Sequence, residues 1–146
     1  MKKYPFLPLI RELAECYQAF ESYSALNQRS MGLTSCQFDI IATLGNTPGM
    51  SFRELGQKTL ITKGTLTGVV NRLEEKKLVV RRPDPNDGRS QIVSLTGQGV
   101  TLFERVFPQQ LDYLNSAFAA LEADEIERMR QTLSRLRSVF RFQEQT

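Results

Sequence analysis

Between Ser51 and Ser90 the hydrophobic spacing changes twice, and this stretch restricts the fold more than any other. Ser51-Phe52-Arg53-Glu54 has the spacing of a capping box, a hydroxyl at the N-cap with an acidic residue three positions on, and opens a short helix to about Lys58. After a turn around Leu60-Ile61, Thr62 is placed to cap a further helix to about Lys77. Two strand-like runs follow, Leu78-Val79-Val80-Arg81 and Gln91-Ile92-Val93-Ser94-Leu95. Two prolines and Asp87-Gly88 separate them, all turn formers. Two short helices followed by a charged β-hairpin are the layout of a winged helix-turn-helix. Such a layout fits one helix to a DNA major groove and the hairpin to the backbone or minor groove.

The flanks are helical. Phe6, Leu9, Ile10, Leu13, Tyr17, Phe20 and Ser24 recur at three- and four-residue steps, one face of a helix from about Phe6 to Gln28. Thr34-Ser35-Cys36-Gln37 opens another helix, stopped by Gly45-Asn46-Thr47-Pro48-Gly49. Thr96 caps a long helix bearing Phe103, Phe107, Leu111 and Phe118, in which Pro108 predicts a kink. Glu122-Ala123-Asp124-Glu125 starts a last helix. The expected fold is mostly α with a small β-hairpin wing. Residues 1–146 are read as one domain, with a winged helix at 34–96 and dimerisation helices at 1–33 and 97–146. Phe103, Phe107, Phe118, Leu133, Leu136 and Phe140 cannot all be buried by one small winged helix. A second copy of the chain would cover them, and two reading helices could then lie about 34 Å apart on a palindrome. The alternative is a monomer with its helical extension folded back.

Charge narrows the function. Residues 51–90 contain nine Lys/Arg and five Asp/Glu, whereas residues 1–50 balance at four of each and residues 91–146 carry six against seven. The net charge of +3 is therefore concentrated in the segment with the helix-turn-helix pattern, where it would attract phosphates. Two cysteines, no histidine and no CxxC argue against a disulfide framework and against a zinc site. No apolar run approaches the roughly 20 residues of a membrane span, and the proline-broken start does not read as a secretory signal, so a cytoplasmic protein is expected. No Gly-rich phosphate loop and no nucleophile beside a base mark an enzyme, and no cofactor is implied.

On the helix that begins at Thr62, Leu66, Val69, Val70 and Leu73 share one side. Gly64, Gly68, Asn71 and Glu75 occupy the opposite side, flanked by Thr65, Thr67 and Arg72. Glycine inside a helix costs about 0.5–1 kcal/mol relative to alanine. Outward glycines are explained if the backbone must approach a partner closely, and a major groove is such a partner. Thr62, Lys63, Thr65, Thr67, Asn71 and Arg72 would supply hydroxyls, an amide and charge to bases and phosphates. In the hairpin, Asp87 and Arg89 straddle Gly88 at the expected tip, with Ser90 beside them. The carboxylate would orient the guanidinium for a narrow minor groove.

The run Gly64-Thr65-Leu66-Thr67, Val70-Asn71-Arg72-Leu73-Glu74, Asp87-Gly88-Arg89-Ser90 and Leu95-Thr96 with Gly99 resembles the MarR family of bacterial transcription regulators. The resemblance implies a homodimer on a palindromic operator in double-stranded DNA. It also implies repression relieved by a small effector, often aromatic or anionic, to which no particular residues are assigned. The Gly-Thr-Leu-Thr start resembles the branch that senses organic peroxides, which makes Cys16 the redox candidate. Cys16 falls later in its helix than that branch's sensing cysteine and is read as a small buried apolar residue. Cys36 lies in the first turn of a helix, where a thiol pKa can be lowered, but packing or exposure without function is the favoured reading. A protein-interaction module without DNA binding is the reading from another class.

Overall fold

A computed structural model describes residues 3–141. Among them, six helices and three strands run in the order α1 (Leu7–Ser30), α2 (Ser35–Leu44), β1 (Met50–Ser51), α3 (Phe52–Thr59), α4 (Lys63–Glu75), β2 (Val79–Asp84), β3 (Asp87–Leu95), α5 (Gly97–Phe118) and α6 (Ala123–Val139). Met1 and Lys2, part of the basic start, and residues 142–146, the end of the stretch expected to form dimerisation helices, lie outside the described residues. The chain divides into two compact units, Met1–Leu111 and Asp112–Thr146, with the boundary inside α5.

The first unit is a winged helix with α1 and most of α5. At the start of α2, Thr34 Oγ1 accepts the Gln37 N–H and Gln37 Oε1 accepts the Thr34 N–H, a complete capping box. Ser51 caps α3 by accepting the Glu54 N–H at 3.1 Å, but Glu54 pairs with Lys58 rather than returning to the Ser51 N–H. α4 ends at Glu75, before the expected Lys77. Lys77 turns left-handed at φ 61° and the Leu78 N–H bonds back to the Leu73 carbonyl, which aims the chain into β2. Thr96 caps α5 as expected: its hydroxyl accepts the Gly99 N–H and donates to the Lys77 carbonyl. Gly99 is fixed by packing, because a Cβ there would collide with the Leu78 carbonyl. α5 continues through Pro108 to Phe118.

The core draws on α2 to α5 and the three strands. Ile40, Ile41 and Leu44 of α2, Leu55 of α3, and Leu66, Val70 and Leu73 of α4 meet Val79 of β2, Val93 of β3 and Val106 of α5. The apolar side expected for α4 is the buried one. Phe103 is also buried, and Phe107 stacks on it at 5.1 Å between ring centroids, so these two are satisfied within the unit.

The sheet differs from the expectation in two ways. β1, missed because two residues give no periodicity, pairs with β3 through Met50↔Val93 and Ser51↔Ile92, so the strand order is β1-β3-β2. The wing strands are also longer than expected. β2 runs through Pro83 to Asp84, and β3 begins at Asp87, leaving Pro85-Asn86 as the turn. Pro83 is tolerated because β2 is an edge strand, and the register shifts beside it between Pro83 and Asp84.

In the second unit, the end of α5 leads to α6, where the Glu122 N–H donates to Glu125 Oε1. Asp124–Arg128 and Glu127–Arg130 pairs line the surface of α6. Met129, Leu133 and Phe140 are exposed, at 57% and 58% for the last two.

Candidate nucleic-acid interface

The outward side of α4 is built by subtraction. Once Leu66, Val70 and Leu73 are fixed in the core, Lys63, Gly64, Thr65, Thr67, Gly68, Asn71 and Arg72 are left exposed. Among the described residues an added Cβ at Gly64 or Gly68 would meet nothing within 4 Å, so none of them requires glycine at either position. Thr67 returns its hydroxyl to the Lys63 carbonyl at 3.3 Å. Thr62 occupies the N-cap position, but its hydroxyl caps no backbone N–H; it bonds the Thr65 hydroxyl at 3.2 Å. The first N–H groups of α4 therefore have no side-chain cap, and this end of the helix stays open to an anion.

Asn71 is exposed but not free. Arg81 of β2 donates from Nη2 to Asn71 Oδ1. Arg81 Nε lies 3.3 Å from Glu74 Oε2, close enough for an ion pair though without an aligned hydrogen bond, and the guanidinium sits 5.5 Å from the Phe52 ring centroid. Arg81 thus ties the wing to both α3 and α4. Arg82, on the other face of the strand, donates to Ser94 Oγ at 3.0 Å and to the Pro48 carbonyl at 2.9 Å. Sequence reading assigned neither arginine. Strand alternation was the available signal: Arg81 shares the face of buried Val79, so it must point toward the helices.

The expected wing tip moves. Pro85-Asn86 is the turn, closed by Asp84 Oδ1 accepting the Asn86 N–H at 2.9 Å, and Asp87, Gly88, Arg89 and Ser90 start the returning strand. Asp87 does not hold the Arg89 guanidinium. Its carboxylate accepts the Arg89 backbone N–H at 3.1 Å and the Ser90 hydroxyl at 3.5 Å, which shapes the backbone instead. The short Asp87 side chain reaches backbone two residues on more readily than a distant guanidinium. Arg89 makes no ion pair among the described residues and is exposed. Together with Arg53 it lines an open groove of about 520 Å³ between α3 and the wing, whose one acidic lining residue is Asp84.

One of the two thiols departs from expectation. Cys16 is exposed rather than buried in this chain, and Cys36 is half-buried. Burial, then Asp39 and Glu21, pushes the Cys36 thiol up rather than down, outweighing the helix start. Burial and the neighbouring Glu21 also push the Asp39 carboxyl up to about 6. Sequence reading missed a buried polar junction as well. Gln110 of α5 accepts from Asn27 Nδ2 at 2.9 Å and donates to Ser24 Oγ at 2.9 Å, both on α1. A lone glutamine on an amphipathic helix gives no sequence signal for this. Among the described residues no group of acidic or cysteine side chains could hold a metal ion, and no helix is long and apolar enough to cross a membrane.

Residues 31–90, from the end of α1 to the wing, match the MarR family. The homoprotocatechuate degradative operon repressor of Escherichia coli is 30% identical over 128 residues, covering 88% of this chain and 84% of that protein. Among solved structures, a mutant MarR from E. coli complexed with operator DNA superposes with a TM-score of 0.80 at 25% identity, over 91% of this chain and 96% of that one. Bordetella bronchiseptica BpsR, whose DNA binding is regulated by 6-hydroxynicotinic acid, gives 0.77 at 26% identity, over 88% and 98%. With its helix-turn-helix, its three-stranded sheet and these matches over most of its length, this chain belongs to the MarR family of transcription regulators.

Proposed function

We propose that the protein is a sequence-specific DNA-binding transcription regulator, a repressor released from a palindromic operator by a small aromatic or anionic effector. The observation that carries this reading is the outward side of α4. It is glycine-bearing, polar, basic and exposed, with Asn71 bonded to Arg81, and it stands beside a groove where Arg53 of α3 and Arg89 of the wing are both open to solvent. Thr62, Lys63, Gly64, Thr65, Thr67, Gly68, Asn71 and Arg72 form the face offered to the major groove. Gly88, Arg89 and Ser90, shaped by Asp87, form the wing contact.

The acting form is a homodimer. Leu9 and Phe20 of α1 are 48% and 45% exposed, and Leu133 of α6 and Phe140 just after it are more so; apolar faces left this open belong in an interface. The effector class follows the E. coli relative, which represses a homoprotocatechuate operon, and BpsR, which responds to an aromatic acid. Release by an effector comes ahead of release by oxidation: Cys36 is half-buried with its thiol pushed up by burial, Asp39 and Glu21, and a response to peroxide that survives Cys16→Ser would exclude Cys16, the exposed thiol, as the sensor.

The test is binding to the DNA flanking the protein's own gene against matched random duplex, across a salt series, with and without a panel of hydroxylated aromatic acids. Selective, salt-sensitive binding that one such acid releases supports the reading. Equal affinity for both duplexes removes it and leaves a protein-interaction module as the account.

A further inference from the structure

We infer that Arg81 determines which base Asn71 reads, by turning the Asn71–Arg81 pair into a cluster of N–H donors that selects guanine over adenine. The inference rests on the DNA-binding reading above. An asparagine that reads adenine uses both ends of its amide: Oδ1 accepts from the N6 amino group while Nδ2 donates to N7. Here Oδ1 is already bonded by Arg81 Nη2. A guanidinium has donors and no acceptor, so the amide orientation is fixed, with Nδ2 as the end left open. The guanidinium is itself held by Glu74 at 3.3 Å and by the Phe52 ring, and its side chain is only 21% exposed. An adenine amino group brought to this amide would face a cation. Guanine offers O6 and N7, two acceptors, to the same edge. Arg81 is therefore a positioning residue that acts through Asn71.

The test is selection from a randomised duplex pool by the wild-type protein and by Asn71→Ala, Arg81→Ala and Arg81→Lys. The operator position that loses its preference in Asn71→Ala should be guanine for the wild type and for Arg81→Lys, which keeps a donor beside Oδ1. In Arg81→Ala the guanine-to-adenine ratio at that position should fall by roughly 5-fold or more, the low end of what a bidentate base contact discriminates. A role confined to holding the fold would weaken all duplexes together and leave the ratio unmoved. The proposal is overturned if the Asn71-dependent position is adenine in the wild type, if Arg81→Ala keeps the guanine preference, or if Asn71→Ala enriches the wild-type motif. The wild type against Asn71→Ala decides the first point even where Arg81→Ala does not fold. A wild-type protein that enriches no motif removes the DNA-binding reading itself, an outcome distinct from a motif indifferent to Asn71.

Discussion

Replacing both Gly64 and Gly68 by alanine should make the protein more stable and a poorer DNA binder. Both glycines lie in α4 and neither has a positive φ, so alanine adopts the same backbone. An added Cβ at either position meets nothing within 4 Å, so the substitution introduces no clash among the described residues. Each exchange removes the helix cost of glycine, about 0.5–1 kcal/mol, so the double variant gains about 1–2 kcal/mol. For a chain of this size that raises the melting temperature by roughly 2–8 °C. On DNA the two methyl groups stand where the backbone would approach the groove floor. Forcing extra methyl groups into a filled interface costs about 1–3 kcal/mol, or roughly 5- to 150-fold in affinity. Thermal unfolding followed by circular dichroism and fluorescence anisotropy with labelled operator measure the two effects on one sample. A double variant that is more stable and binds as tightly as the wild type would refute the reasoning, since the outward glycines would then answer to no close partner.

Other outcomes follow from the same structure. Gln110→Ala should destabilise the protein by about 1–3 kcal/mol in urea unfolding, because it strips partners from Asn27 and Ser24 at a buried junction; an unchanged midpoint would mean the junction contributes nothing. Asp39 titrates near 6 in the fold against an ordinary 3.8, so the fold favours its neutral form: its contribution is fully present below about 3.8 and is lost as pH rises through about 6. Asp39→Asn should therefore flatten the pH dependence of the melting temperature across that window and raise it at neutral pH, whereas parallel curves would contradict the assignment. Leu9→Glu with Phe20→Glu should yield monomers in sedimentation without loss of helix; a persistent dimer would place the interface elsewhere.

The sequence was legible where a local rule had no competitor. Capping boxes located α2 and α3 within a residue because Thr34 and Ser51 each sit three positions ahead of a Gln or Glu. The buried and outward sides of α4 were readable because Leu66, Val70 and Leu73 leave one helical arrangement. Legibility failed where a side chain had two available partners. Thr62 has cap chemistry but bonds Thr65, and Asp87 could reach the Arg89 guanidinium but accepts its backbone N–H. The wing tip was misplaced because Asp87-Gly88 is the stronger turn signal, yet the register shift after Pro83 puts the turn at Pro85-Asn86. Arg81 was given no role because strand alternation shows only which face it takes, while its three partners, Phe52, Asn71 and Glu74, come from two other elements.

The most direct test of the central claim, that the outward side of α4 and the wing together engage DNA, is the salt dependence of operator binding by the wild type and by Lys63→Ala/Arg72→Ala/Arg89→Ala. Each phosphate contact contributes about 0.9 to the slope of log affinity against log salt, so removing three cations should lower the slope by up to roughly 2.7 per chain while the fold persists. An unchanged slope at unchanged affinity would contradict the account and move the DNA contact to another face of the protein.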